Sequence, residues 1–96
     1  INLRKYYSET LGQSALSIIH LENGDTVESY VKLGELEESL PGKLFFRCHQ
    51  SYIINLYFVE KMETGKFQLP SVDIPISRKY QREARDMYYD YMFEKM

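Results

Sequence analysis

Leu44-Phe45-Phe46-Arg47-Cys48-His49-Gln50-Ser51-Tyr52-Ile53-Ile54-Asn55 is the stretch whose reading decides the fold. Its first half has period two. Leu44, Phe46 and Cys48 point one way, and Phe45, Arg47 and His49 the other, as on a β-strand. Residues 51–54 are mostly apolar and lead to Asn55, which is expected to shape the backbone after the run. Arg47 and His49 share a face, so Gln50 joins them only at or beyond a strand end. The expectation is two short strands with a polar turn between them, not one buried strand through 44–54. Arg47, His49, Gln50 and Ser51 are side chains suited to phosphates or base edges, set between apolar anchors. Cys48 alternates with Leu44 and Phe46 and is expected to be a buried, quiet thiol.

Short β-like segments continue in both directions. Upstream, residues 3–9 read as a strand with Tyr6 and Tyr7 on opposite faces. Residues 10–14 read as a loop centred on Gly12, and 15–21 as a second strand. Asn23-Gly24 signals a hairpin, because both residues tolerate positive φ, and 25–31 is the returning strand. Leu33, Leu36 and Leu40 fall at i, i+3 and i+7, which predicts a short helix over 33–40 stopped by Pro41-Gly42. Downstream, 57–63 and 66–69 read as a hairpin closed by Thr64-Gly65. Residues 73–76 are a short strand whose Pro75 belongs at an edge or a strand end. Ser77 is expected to N-cap a helix from Arg78 to about Phe93, with Tyr80, Ala84, Met87 or Tyr88, and Tyr91 on its inner stripe.

Composition narrows the function. The chain has 96 residues, 44% hydrophobic, with nine Tyr, five Phe and no Trp, which is a globular composition for one domain. No apolar run is long enough for a transmembrane helix, and no membrane association is expected. One cysteine forms no internal disulfide, and the expected compartment is the cytoplasm. The formal net charge is -2, unevenly spread: residues 1–42 carry net -4, residues 43–85 net +4 and residues 86–96 net -2. No acid occurs from Lys43 through Val59 or from Ile74 through Arg82. A basic zone of this kind suits a polyanion.

Catalysis finds little support. Cys48 and His49 are neighbours on a strand and face apart, so this His does not serve this Cys as a base. Two histidines and one cysteine lack metal-type spacing, Glu37-Glu38 reads as a solvated pair, and the five glycines form no phosphate loop. No enzyme activity, metal or cofactor is expected.

Two motifs then carry a resemblance. Phe46, Arg47, His49, Ser51, Tyr52, Ile53, Ile54 and Asn55 fit the pattern F-R-x-H-x-S-[YF]-[IV]-[IV]-N. Ile74, Pro75, Ile76, Ser77 and Arg78 fit a following I-P-[IV]-S-R. With Leu33, Leu36, Leu40-Pro41 and an early Tyr7-x-Glu9, the chain resembles the LytTR family over about residues 5–80. The resemblance implies an elongated, mostly antiparallel β fold of small stacked sheets, with one short internal helix and a C-terminal helix. It implies a DNA-binding output domain of bacterial response regulators that reads successive major grooves of double-stranded DNA through loops. Gln13, Ser14, Gln50 and Arg78 are then the expected base contacts. Arg47, His49, Ser51, Lys79 and Arg82 are the expected backbone contacts. Residues 1–96 would be a single domain of a longer regulator, its N-terminal domain absent, acting as a homodimer on paired DNA repeats. The competing reading is a small β protein-interaction or signal-binding module whose basic zone meets an acidic partner.

Overall fold

Consecutive isoleucines on a strand must face opposite ways, and that requirement organises the molecule. The computed structural model describes residues 4–10 and 16–95. In it Phe45–His49 is strand β4 and Tyr52–Asn55 is strand β5, joined by a turn at Gln50-Ser51. Ile53 and Ile54 of β5 are both almost fully buried, in two different cores. The sheet that holds β5 is therefore covered on both faces.

The other strands are β1 (Lys5–Thr10), β2 (Ser17–Leu21), β3 (Thr26–Ser29), β6 (Lys61–Glu63), β7 (Lys66–Gln68) and β8 (Asp73–Pro75). The helices are α1 (Leu33–Glu38) and α2 (Gln81–Lys95). Among the described residues the strands form a five-stranded antiparallel sheet in the order β3-β2-β1-β5-β4, and a three-stranded sheet in the order β6-β7-β8. Leu33 and Leu36 of α1 cover Ile53 and Ile19 on one face. On the other, Phe67, Leu69, Ile74, Ile76 and Ala84 meet Phe46, Cys48, Ile54 and Leu56. The layers are α1, the large sheet, then the small sheet with α2, in a broad body of 35 × 33 × 24 Å.

Most elements form where the sequence places them, and the departures have local causes. Both hairpins are present, but only the glycines, Gly24 and Gly65, take positive φ. Asn23 instead keeps negative φ and uses its side chain, accepting from the Asp25 N–H. Helix α1 stops at Glu38 rather than Leu40, because the residue before Pro41 is disfavoured in the helical region. Leu40 still packs against the core beside α1. Residues 56–58 are a 3-10 turn, not strand, because the Asn55 side chain accepts the Tyr57 N–H at 3.0 Å. Tyr6 and Tyr7 do not face apart: the register slips between Lys5 and Tyr7, and this bulge brings both rings onto the larger core, 5.4 Å from each other. Pro75 ends the edge strand β8, as its missing N–H requires.

Candidate nucleic-acid interface

The turn at Gln50-Ser51 is built by its own polar side chains. Strand β4 bulges at Cys48, since Arg47 pairs with Ile53 and His49 already with Tyr52. Arg47 Nη2 donates to the Gln50 carbonyl at 2.7 Å. The Ser51 N–H donates to His49 Nδ1 at 3.0 Å, which leaves the proton of a neutral ring on Nε2. The Thr10 N–H donates to the Ser51 carbonyl at 3.0 Å. With these backbone groups held, the Gln50 side chain is exposed at the tip.

A second segment lies against the first. The Ser77 N–H donates to the Cys48 carbonyl at 3.0 Å. Ser77 was expected to cap the helix with its hydroxyl, and it does not: its side chain makes no cap bond. Its backbone does the work instead, the N–H going to Cys48 and the carbonyl accepting the Tyr80 N–H at 2.8 Å. The first turn, Arg78–Tyr80, is 3-10, and α2 follows at Gln81. Arg78, Lys79 and Arg82 are all exposed, with Lys79 Nζ 5.2 Å from the centre of the Tyr80 ring.

The nine expected contact residues thus divide. Gln50, Arg78, Lys79 and Arg82 present exposed side chains on the two chain segments that the 48–77 bond joins. Arg47, His49 and Ser51 are half-buried within the turn. Arg47 also reaches Glu37 of α1, Nη1 to Oε1 at 3.6 Å, and its Nε is buried without a partner. A Cβ at Gly34 would stand 3.3 Å from Arg47 Nη1, close enough that the guanidinium would have to give by a few tenths of an ångström. Gln13 and Ser14 lie outside the described residues. Their flanks are informative: Thr10 is tied to Ser51, and its hydroxyl donates to the Leu16 carbonyl at 3.1 Å.

The sequence reads Glu37 as half of a solvated pair and gives Gly34 no role; the contact of each with Arg47 is found only in the structure. Nothing local marks them, since their role depends on α1 folding back over Arg47. The catalytic reading of Cys48 and His49 finds no geometry either. Cys48 is fully buried, and burial pushes its thiol up to about 12. Its Sγ lies 3.5 Å from the Pro75 carbonyl, while His49 turns to Ser51. His20 meets Glu9 and stacks on Tyr7 at 4.1 Å between ring centres. Among the described residues no group of three or more His, Cys, Asp and Glu side chains could hold a metal ion, and no helix is long and apolar enough to cross a membrane.

The comparisons agree with this fold. A family model described as the LytTr DNA-binding domain matches residues 11–88. The chain is 34% identical to the sensory transduction protein LytT of Oceanobacillus iheyensis, in a match covering 62% of this chain and 28% of that relative. It therefore spans under a third of that protein's length. Among solved structures it is similar to a LytTr DNA-binding domain from Bacillus cereus, taken from a protein described as a methyl-accepting/DNA response regulator. That likeness has a TM-score of 0.73 at 25% identity and covers 86% of this chain and 79% of the other.

Proposed function

Because the chain belongs to the LytTR family of DNA-binding domains, we propose that it binds double-stranded DNA sequence-specifically, as the output portion of a bacterial transcriptional regulator. The observation that carries this is the 3.0 Å bond from the Ser77 N–H to the Cys48 carbonyl. It joins the two stretches that lack acids, 43–59 and 74–82. A polyanion meets donors and cations there without a facing carboxylate from either stretch.

Roles follow from exposure. Gln50 and Arg78 read bases, Gln to adenine and Arg to guanine, each in a bidentate pairing. Lys79 and Arg82 meet phosphates. Arg47 and His49 act mainly by positioning the turn, and Ser51 borders it. Gln13 and Ser14 are assigned to a third reading loop, supported by Thr10 lying against Ser51. A cytoplasmic location and two copies on paired repeats are part of the proposal. The latter predicts two successive shifts on a two-repeat duplex and one on a single repeat.

The test is selection of sites from a random duplex pool, then titration of variants at several salt concentrations. Arg78→Ala should weaken the selected site and flatten preference at one base position, by about 1–3 kcal/mol of discrimination. Lys79→Ala should weaken all sequences about equally and lower the salt slope by about one. Intact base preference in Arg78→Ala would remove this segment from base reading. No effect of either change would favour the protein-interaction reading.

A further inference from the structure

We propose that the cleft between α1 and α2 is a binding site for a small organic cation with an apolar body, and that Arg47 carries its occupancy to the 50–51 turn. The cleft, about 490 Å³, opens beside β4, the edge strand of the large sheet. That size suits a small ligand. Phe45, Phe46, Tyr80 and Met87 give it apolar and aromatic walls, with Phe46 and Tyr80 edge to face at 6.3 Å. Its rim carries Glu37 and Glu38 from α1 and Glu83 from α2. The one cation lining it is Arg47, already engaged with Glu37 and the Gln50 carbonyl.

Charge chooses the occupant. Three carboxylates against one guanidinium leave the cleft net negative, so a nucleic-acid phosphate is repelled. The carboxylates attract an ammonium or amidinium, and Phe45, Phe46, Tyr80 and Met87 take its apolar body. The apolar walls favour a cation with an aromatic or aliphatic body over a bare metal ion. Such a cation at the rim competes with Arg47 for Glu37 and repels the guanidinium. Arg47 holds the Gln50 carbonyl, so the turn feels the exchange directly. Binding of the cation should therefore oppose DNA binding, and by linkage DNA should lower the cation's affinity by the same factor. This second step rests on the DNA-reading assignment; the site itself does not.

The experiment is an amide NMR titration of the chain with benzylammonium, and separately with benzoate, at fixed ionic strength. Saturable shifts at Phe46, Tyr80 and Glu83 with benzylammonium, and none with benzoate, are expected. Glu83→Gln should weaken the fit about threefold, the size of one exposed ion pair. Glu38→Gln provides the same reading if that variant folds poorly. The Gln50 amide should move with the same midpoint in the parent chain and stay still in Arg47→Lys. Non-saturating drift, equal response to benzoate, or indifference to both glutamine variants would overturn the site. Saturable binding that leaves Gln50 unmoved would overturn the coupling. Failure of the unliganded chain to bind any duplex would refute the DNA reading while leaving the titration result standing.

Discussion

Cys48 has no exposed surface, and its thiol is pushed up to about 12 by burial. The unfolded chain ionises this thiol near 9. The raised folded value means that the neutral form is held in the native state. Its stabilisation is fully present below pH 9 and is lost as pH rises from about 9 towards about 12. Chemical denaturation at pH 8 and pH 10.5 should show a larger loss for the parent chain than for Cys48→Ala, and a bulky thiol reagent should react slowly at pH 8. Arg47 makes the complementary case, a charged side chain whose geometry matters. Its guanidinium bonds Gln50 and Glu37 through separate nitrogens. A lysine ammonium lacks that fork. Arg47→Lys should cost about 1 kcal/mol of stability by urea denaturation and reduce base discrimination at the position proposed for Gln50.

Between elements, the Asn55 side chain ties two strands and a turn together. It is buried, donates to the Lys5 carbonyl at 2.7 Å across from β5 to β1, and accepts the Tyr57 N–H at 3.0 Å. Asn55→Ala leaves both backbone groups without this partner and should destabilise by about 2–4 kcal/mol. An unchanged midpoint in urea would contradict that. Asn55 also shows where sequence reading stops. The residue was legible as one that shapes the backbone. The 3-10 turn it starts was not, because 57–63 carries strand-like residues and one side-chain bond decides otherwise. Hairpins were legible because Gly24 and Gly65 are needed at positive φ. The end of α1 was legible from Pro41. The bulge at Tyr6 was not, since it arises from pairing with β2 and leaves no local mark. In the interface, Gln50 sits at the turn that the alternation of 44–49 predicts. Arg47 turns inward to Glu37 and close past Gly34, both brought from another element. Ser77 kept its place at the helix start, but its N–H is taken by Cys48, a contact only tertiary folding creates.

At the scale of the whole molecule, two cores share one sheet. Ile53 belongs with Leu33 and Leu36, and Ile54 with Phe67, Ile74 and Ala84. Neither core stands without β5, so damage to one must be felt by both. A chain of 96 residues has total stability of about 5–15 kcal/mol, which a single large core truncation consumes in good part. Leu33→Ala, 3% exposed in the α1 core, should cost about 2–5 kcal/mol; Phe67→Ala, fully buried in the other, about 3–5 kcal/mol. The informative measurement is cooperativity. With Tyr6, Tyr7, Tyr52, Tyr80 and Tyr88 packed on the Phe67 core, and Phe45 but no tyrosine of the described residues packed on the α1 core, near-ultraviolet circular dichroism in the tyrosine band reports mainly one side of the sheet. Far-ultraviolet circular dichroism reports the backbone of both. In Leu33→Ala the two signals should be lost together at a lower denaturant concentration, and DNA affinity should vanish at the same point, because the 50–51 turn ends the hairpin that both cores clamp. A tyrosine signal that survives at the parent midpoint while the backbone signal declines would show that the α1 side melts by itself, and would break the argument that β5 makes the molecule one unit.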